Sequence, residues 1–231
     1  MPNPSPAPRH ASKARVMLVD DHPIVRQGLA NLIEDEKDLT VCAQVESAEG
    51  ALAAMETARP DVIVIDVALG ERSGLELVKD VRARWPEMPM LVLSMHDELL
   101  YAERALRAGA KGYVMKQEAT EKVMEGIRKV LDGELYVSDR MAARLMTQAV
   151  HDRGAPPANP LSRLSDRELE VFTMIGHGLG TREIAQRLIL SIKTVEAHRE
   201  HIKEKLNLKN GTELMRFAVQ YTLQDAPGAK T

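Results

Sequence analysis

Carboxylates end two short apolar runs of the sequence. Residues 62–65 are followed directly by Asp66, and residues 16–19 are followed by Asp20 and Asp21. Such runs are typical of strands buried in a parallel sheet, and the carboxyl ends of those strands meet at the edge where ligands bind. Three carboxylates that close would raise one another's pKa unless a positive group joined them. The spacing therefore predicts a site for a hard divalent cation with oxygen ligands, and Mg²⁺ is the usual choice where phosphate is handled.

Two further polar residues end later apolar runs. Ser94 ends the run at residues 90–93, and Lys116 follows residues 112–115. A hydroxyl and an ammonium beside a cation suit a phosphoryl group, because both can bond its oxygens. Any one of these charges taken alone is better explained as a solvated loop charge. Five polar groups that all end strands in the right order favour a phosphoryl site.

The elements that would position these residues alternate along the first part of the chain. Five apolar runs alternate with five candidate helices, which predicts right-handed crossovers and an α/β fold with a doubly wound, five-stranded parallel sheet. The predicted strands are residues 16–19, 40–45, 62–65, 90–93 and 112–115, and the predicted helices are residues 23–34, 48–58, 73–84, 99–108 and 119–132.

The pattern changes after residue 133. Residues 138–150 are predicted to be helical, and the Pro- and Gly-rich residues 151–160 are typical of a connector. Beyond it only helices are predicted, at residues 165–177, where Ser165 and Glu168 form a capping box, and at residues 181–188, 192–206 and 212–221. A short helix, a tight turn and a longer helix with a basic outer side predict a helix-turn-helix. We expect a disordered tail at 1–13, an α/β domain at 14–133, a linker at 134–160 and a small all-α domain at 161–226.

The length, the net charge and the apolar content of the chain limit the class of protein. The chain has 231 residues, a net charge of −3, and no apolar run near the ~20 residues that span a bilayer. Its Pro- and Ser-rich start lacks the apolar core of a signal peptide. We therefore expect a cytoplasmic protein that has no membrane partner.

Two sets of motifs resemble a known family. The sequence VDDHPIVRQGL at residues 19–29, Asp66 with SGLE at residues 73–76, Ser94, and KGYVMK at residues 111–116 resemble the receiver domain of bacterial two-component response regulators. The sequences LSDRELEV, REIA and KTVEAHR, at residues 164–171, 182–185 and 193–199, resemble the LuxR-type helix-turn-helix. In this order they resemble the NarL/FixJ class of response regulators over nearly the whole chain.

The resemblance implies roles for the residues at the sheet edge. Asp66 would accept a phosphoryl group from the phosphohistidine of a sensor histidine kinase. Mg²⁺ would be held by Asp20, Asp21, Asp66 and the backbone carbonyl of Ala68. Such a protein is not a turnover enzyme.

The resemblance also implies how the signal would leave the site. Lys116 would pair with the phosphoryl group, Ser94 would move to bond it, and Tyr113 would follow as a switch by swinging inward. The alternative for Tyr113 is a strand aromatic that packs against a helix. Leu69 and Gly70 stand where the family usually has Met-Pro, so we expect a freer loop after Asp66.

The helix-turn-helix would contact double-stranded DNA. By resemblance the expected contacts near the DNA backbone are Lys193, Thr194, His198 and Arg199, the expected base-reading residues are Glu196, Ala197 and Glu200, and Thr181 and Lys203 are further expected contacts. His198 has an equal alternative as a packing residue. Gly180 replaces a common Ser, so we expect Thr181 to cap the scaffold helix. Residues 161–224 carry ten basic and eight acidic side chains, and this weak positive charge predicts a homodimer on paired half-sites.

Two other functions remain open at this point. The C-terminal helices could dock a protein partner instead of DNA, which would make the chain a receiver-based interaction switch. A Mg²⁺-dependent phosphatase with a similar sheet would want a second Asp two residues after Asp66, where Ala68 stands.

Overall fold

The computed structural model describes residues 13–70, 72–95, 98–118, 120–151 and 160–224. Its first part is a five-stranded parallel sheet with the order β2-β1-β3-β4-β5. The strands are β1 (Ala14–Val19), β2 (Leu39–Val45), β3 (Val62–Asp66), β4 (Met90–Ser94) and β5 (Gly112–Met115). The predicted doubly wound α/β class is confirmed.

Helices cover both faces of this sheet. They are α1 (Pro23–Glu34), α2 (Ala48–Ala58), α3 (Gly74–Arg84), α4 (Glu98–Ala108) and α5 (Thr120–Leu131). One hydrophobic cluster joins α1 and α5 to one face, and a second joins α2, α3 and α4 to the other. β3 lies in the middle of the order and all of its residues are buried, as its run of Val and Ile predicts.

The second part is helical. It contains α6 (Asp139–His151), a 3₁₀ turn (Pro160–Arg163), α7 (Asp166–Gly176), α8 (Thr181–Arg187), α9 (Ile192–Leu206) and α10 (Gly211–Gln224). The predicted capping box is present, since the Ser165 hydroxyl accepts from the Glu168 N–H and the Glu168 carboxylate accepts from the Ser165 N–H. Helices α8 and α9 form the helix-turn-helix, so the all-α part of the predicted fold is also confirmed.

Two local elements were not predicted, and one local expectation is wrong. Residues 68–73 contain a two-residue antiparallel hairpin (Ala68–Leu69 with Arg72–Ser73), which apolar periodicity could not reveal because it is so short. The 3₁₀ turn was not predicted either. Thr181 does not cap α8: Gly180 is the N-cap residue, and its N–H donates to the Glu183 carboxylate at 2.7 Å. An acid at the third helical position here takes the place of a capping side chain.

Candidate functional site

Asp66 lies at the carboxyl end of the central strand β3. Its carboxyl group is almost completely buried, with 3 % of the residue exposed. The chain can return close to it because Gly74 has no side chain: a Cβ at Gly74 would lie 1.8 Å from the Asp66 carbonyl oxygen. The Gly74 N–H donates to the carbonyl of Val67 at 2.7 Å. The Ser73-Gly74 pair therefore positions the start of α3 against this site.

Lys116 joins two of the predicted carboxylates. Its Nζ lies 2.6 Å from Asp20 Oδ2 and 2.7 Å from Asp66 Oδ2. Burial raises the pKa of Asp66 to about 6, although the Lys116 ammonium opposes that rise. Burial lowers the pKa of Lys116, but Asp66 and Asp20 outweigh it and raise this pKa overall. At neutral pH Asp66 is therefore an ionised, desolvated carboxylate beside a cation.

Asp21 and His22 complete the group. His22 Nδ1 lies 2.6 Å from Asp21 Oδ1, 3.4 Å from Asp20 Oδ1 and 4.0 Å from Asp66 Oδ2. Burial raises the pKa of Asp21, and the His22 imidazole opposes this. One ligand atom from each of Asp20, Asp21, His22 and Asp66 lies within 4.8 Å of the others. The structure thus confirms that these acids form one cluster. Sequence reasoning missed His22, although its place directly after two acids could have indicated it.

Ser94 ends β4, and Tyr113 lies on the neighbouring strand β5, three residues before Lys116. Both are buried, and the Ser94 carbonyl accepts from the Lys116 N–H at 2.8 Å, which fixes the end of β5 next to the end of β4. Only 1 % of Tyr113 is exposed, which fits both the switch role and the alternative of a strand aromatic that packs against a helix.

The described residues of the loop after Asp66 make local contacts, and the expectation that this loop moves freely stays a prediction. The Ala68 N–H bonds the Asp66 carboxylate and lowers its pKa, and Ala68 pairs with Ser73 across the hairpin. Gly70 forms the turn with a φ of +62°, a conformation that Pro cannot adopt. Glycine is thus required here by the turn.

The residues expected to contact DNA lie on α9 and at the start of α8. Four of the nine are exposed, namely Lys193, Glu196, Ala197 and Glu200, and five are half-buried, namely Thr181, Thr194, His198, Arg199 and Lys203. The buried side of α9 holds Val195 and Ile202. The predicted base-reading residues therefore face away from the core.

Several of these side chains already have partners. Lys203 Nζ lies 2.8 Å from Glu200 Oε2, one turn apart on α9. The Thr194 N–H donates to the Ser191 hydroxyl at 3.0 Å, which caps the helix. Burial lowers the pKa of His198, and nearby Arg167 lowers it further, so His198 is a neutral, half-buried imidazole.

A buried ion pair lies where the two parts of the chain meet. Arg167 and Glu170, one turn apart on α7, lie 2.6 Å from each other, and Glu170 is fully buried. A second Arg167 nitrogen donates to the carbonyls of Gly70 at 2.6 Å and of Leu188 at 2.9 Å. Arg167 thus bonds both the hairpin after Asp66 and the turn of the helix-turn-helix.

Helix α4 makes the rest of this junction. Arg104 donates to the carbonyls of Leu161 at 2.5 Å and Leu164 at 2.8 Å and lies 3.1 Å from Asp166 Oδ1. The fully buried Tyr101 hydroxyl lies 3.4 Å from the Thr173 hydroxyl. Sequence reasoning missed these residues because long-range polar contacts leave no periodic pattern.

Comparison with known families agrees with this arrangement. Residues 16–128 match the family described as response regulator receiver domain, and residues 162–218 match the family described as bacterial regulatory proteins, luxR family. The oxygen regulatory protein NreC of Staphylococcus epidermidis is 35 % identical over 215 residues, which are 90 % of this chain and 98 % of that protein. NreC of Staphylococcus aureus is 36 % identical over 214 residues, covering 90 % and 98 %.

Solved structures show the same fold. A two-component response regulator of the LuxR family from Aurantimonas sp. SI85-9A1 is 34 % identical with a TM-score of 0.56, covering 60 % of this chain and 99 % of that one. The RcsB response regulator of Salmonella typhimurium is 23 % identical with a TM-score of 0.62, covering 90 % and 98 %, which supports the fold alone.

Within the described residues, no helix is both long enough and apolar enough to cross a membrane. The receiver elements, the helix-turn-helix and NreC proteins that match along almost their whole length lead to one assignment. The chain belongs to the NarL/FixJ family of two-component response regulators, which regulate transcription and are not turnover enzymes.

Proposed function

We propose that Asp66 is the phosphoryl acceptor and that its phosphorylation by a sensor histidine kinase controls DNA binding. The observation that carries this proposal is the buried Asp66 carboxylate with Lys116 Nζ at 2.7 Å, inside a cluster of acids at the sheet edge. A carboxylate oxygen of Asp66 would form a bond to phosphorus while the N–P bond of the phosphohistidine breaks and its electron pair returns to the imidazole. Lys116 would stabilise the transferred group by bonding its oxygens.

The acid cluster fits Mg²⁺. Carboxylates of Asp20, Asp21 and Asp66 offer ligand atoms within 4.8 Å of one another, and the Ala68 carbonyl is the fourth proposed ligand. Oxygen donors of this kind are those that Mg²⁺ prefers. Bound there, the ion would neutralise phosphoryl oxygens. In this structure Lys116 bridges Asp20 and Asp66.

The signal would leave the site through two neighbouring features. Ser94 would bond the phosphoryl group, and the buried Tyr113 next to it in the sheet would report the change to α4. Tyr101 and Arg104 of α4 contact the helical domain directly, so a shift of α4 alters how that domain is held. The exposed base-reading residues of α9 indicate that this contact restrains the domain without covering its DNA-facing side.

The domain limits are part of the proposal. We place the receiver at residues 14–133, the linker at 134–160 and the DNA-binding domain at 161–226, with a tail at 1–13. Residues 1–12, 152–159 and 225–226 of these segments lie outside the described part of the chain. The family matches at residues 16–128 and 162–218 support these limits.

The DNA contacts follow from the exposed side of α9. Glu196, Ala197 and Glu200 would read bases, since Glu accepts from a cytosine amino group and Ala suits a thymine methyl. The proposed backbone contacts are Thr181, Lys193, Thr194, His198, Arg199 and Lys203. Because the domain carries only a small positive charge, we propose that two phosphorylated copies bind paired half-sites.

Acetyl phosphate with Mg²⁺ tests the acceptor. We expect the intact mass to increase by one phosphoryl group and peptide mapping to place it on Asp66. Asp66→Asn should remain unlabelled, whereas Asp132→Asn, which removes an exposed acid of the same domain, should be labelled like the wild type. Labelling of Asp66→Asn at the wild-type rate would refute the assignment.

Selection from random double-stranded DNA tests the output. The phosphorylated chain should enrich paired half-sites and bind them as a dimer more tightly than the unphosphorylated chain. A phosphorylated chain that enriches no sequence would favour the protein-docking alternative.

A further inference from the structure

A second cluster of potential metal ligands lies in the DNA-binding domain, away from the acid cluster of the receiver. Glu168 of α7 faces His198 and His201 of α9, and one ligand atom of each lies within 4.8 Å of the others. We propose that these three side chains form a binding site for a divalent transition-metal ion of the Zn²⁺ type. The site does not depend on phosphorylation of Asp66.

The ligand set decides the class of ion. Two imidazoles and one carboxylate suit zinc and its neighbours, whereas the receiver cluster, with three carboxylates and one imidazole, is better suited to hard cations. Ligand atoms that share one tetrahedral zinc at ordinary bond lengths lie roughly 3.3 Å apart. The distance from His201 Nδ1 to Glu168 Oε1 is slightly longer, at 3.8 Å. Because the His201 side chain is 58 % exposed, it can rotate and shorten this distance.

The backbone already aligns the ligands. His198 and His201 are three residues apart on one helix, so their side chains lie on the same edge of α9. Glu168 is held opposite them by its capping-box bond to the Ser165 N–H at 2.7 Å. Only His201 needs to be ordered when an ion binds, which keeps the entropy cost small.

Glu168 divides its two carboxylate oxygens between neighbours. Oε2 accepts from Ser165 N–H and from Lys205 Nζ, the latter at 2.6 Å. Oε1 faces His201 Nδ1 at 3.8 Å and is the oxygen offered to an ion. The Lys205 ammonium would repel a metal ion bound to Glu168. Because its side chain is 40 % exposed, it can move into solvent when the ion binds.

An ion bound at this site would link α7 to α9, the helix that carries the proposed base-reading residues. His198 is also a proposed DNA-backbone contact, so an ion there would compete with that contact. Metal occupancy would then be a second input to the DNA-binding domain, and it would act without the receiver.

Zinc titration of the full chain tests the site. With Mg²⁺ in excess to occupy the receiver cluster, competition against a chromophoric chelator should report one zinc ion per chain. Both His201→Gln and His198→Gln should weaken this binding at least about tenfold. His177→Gln, which removes an exposed histidine of the same domain, should bind zinc like the wild type.

A fourth variant separates metal binding from a purely structural cluster. Lys205→Ala removes the competing cation and should tighten zinc binding severalfold, whereas a capping role alone would leave it unchanged. Circular dichroism should show that the exposed His201→Gln variant is folded. Wild-type zinc affinity in folded His201→Gln, or no zinc bound at all, would overturn the proposal.

Discussion

Asp66 and Glu170 are both buried carboxylates with a raised pKa, and they differ in what surrounds them. Burial raises the pKa of Asp66 to about 6 at the receiver edge and that of Glu170 to about 7 at the junction. Asp66 shares its cation with Asp20 and lies beside a solvent-facing Asp21 and His22. Glu170 is fully buried and pairs with Arg167, which also donates to the carbonyls of Gly70 and Leu188. A raised pKa and a nearby cation are therefore not enough to identify a reactive carboxylate. The surplus of acids over cations distinguishes the first from the second.

The largest change in the free energy of unfolding should come from removing the cation beside each carboxylate, Arg167 or Lys116. Arg167→Met leaves Glu170 buried without a partner and should lower the free energy of unfolding by about 3–5 kcal/mol. Lys116→Met should cost less, because Mg²⁺ can replace the lost positive charge among the acids. Urea unfolding with and without Mg²⁺ measures both. Mg²⁺ should restore stability only in Lys116→Met, and equal rescue of the two variants would contradict the distinction.

A smaller effect should follow from the proton on Glu170. Burial raises its pKa from an ordinary 4.5 to about 7, while Arg167 and the Ser73 hydroxyl oppose this. The folded state therefore holds a proton that the unfolded state releases, so this contribution is complete below about pH 4.5 and is lost as pH rises through 7. The charge of Asp166 also raises the pKa of Glu170.

The measurement is the free energy of unfolding between pH 5 and pH 8. The wild type should lose on the order of 2–3 kcal/mol across this range through Glu170. Glu170→Gln should remove this part of the slope and leave the part that comes from Asp66, whose pKa is also raised, whereas Glu204→Gln, at an exposed acid of α9, should retain the wild-type slope. An unchanged slope in Glu170→Gln would show that the carboxyl is ionised throughout.

The smallest change in stability should come from a substitution in the hairpin at residues 68–73. Gly70→Ala places a side chain at a φ of +62° and 3.1 Å from Ile189 Cδ1, and it should destabilise the protein by about 1–2 kcal/mol. Gly28→Ala is the matched control, since a Cβ there meets nothing within 4 Å. In the middle of α1 it should stabilise by about 0.5–1 kcal/mol. Thermal unfolding of both variants measures the difference, and equal shifts would argue against strain at Gly70.

The sequence predicted what depends on periodicity and on strand ends. The five strands, the helix-turn-helix and the convergence of Asp20, Asp21, Asp66, Ser94 and Lys116 follow from apolar runs that end in polar residues. The contacts of Arg104 with Leu164 and of Arg167 with Gly70 could not be predicted, because they join residues more than fifty positions apart through backbone carbonyls. Any residue type supplies a carbonyl, so the sequence carries no sign of such a partner. The positive φ of Gly70 could not be predicted either, because it depends on the turn that the hairpin makes.

The carbonyl of Gly70 has a practical consequence. This carbonyl lies four residues after Asp66 and accepts a hydrogen bond from Arg167 of the DNA-binding domain. The length of this small hairpin therefore determines where the DNA-binding domain contacts the receiver. Adding or deleting a residue there should disconnect input from output while each half keeps its own fold. Chimeras that join this receiver to a foreign effector domain should therefore preserve the hairpin length and supply an arginine to meet it.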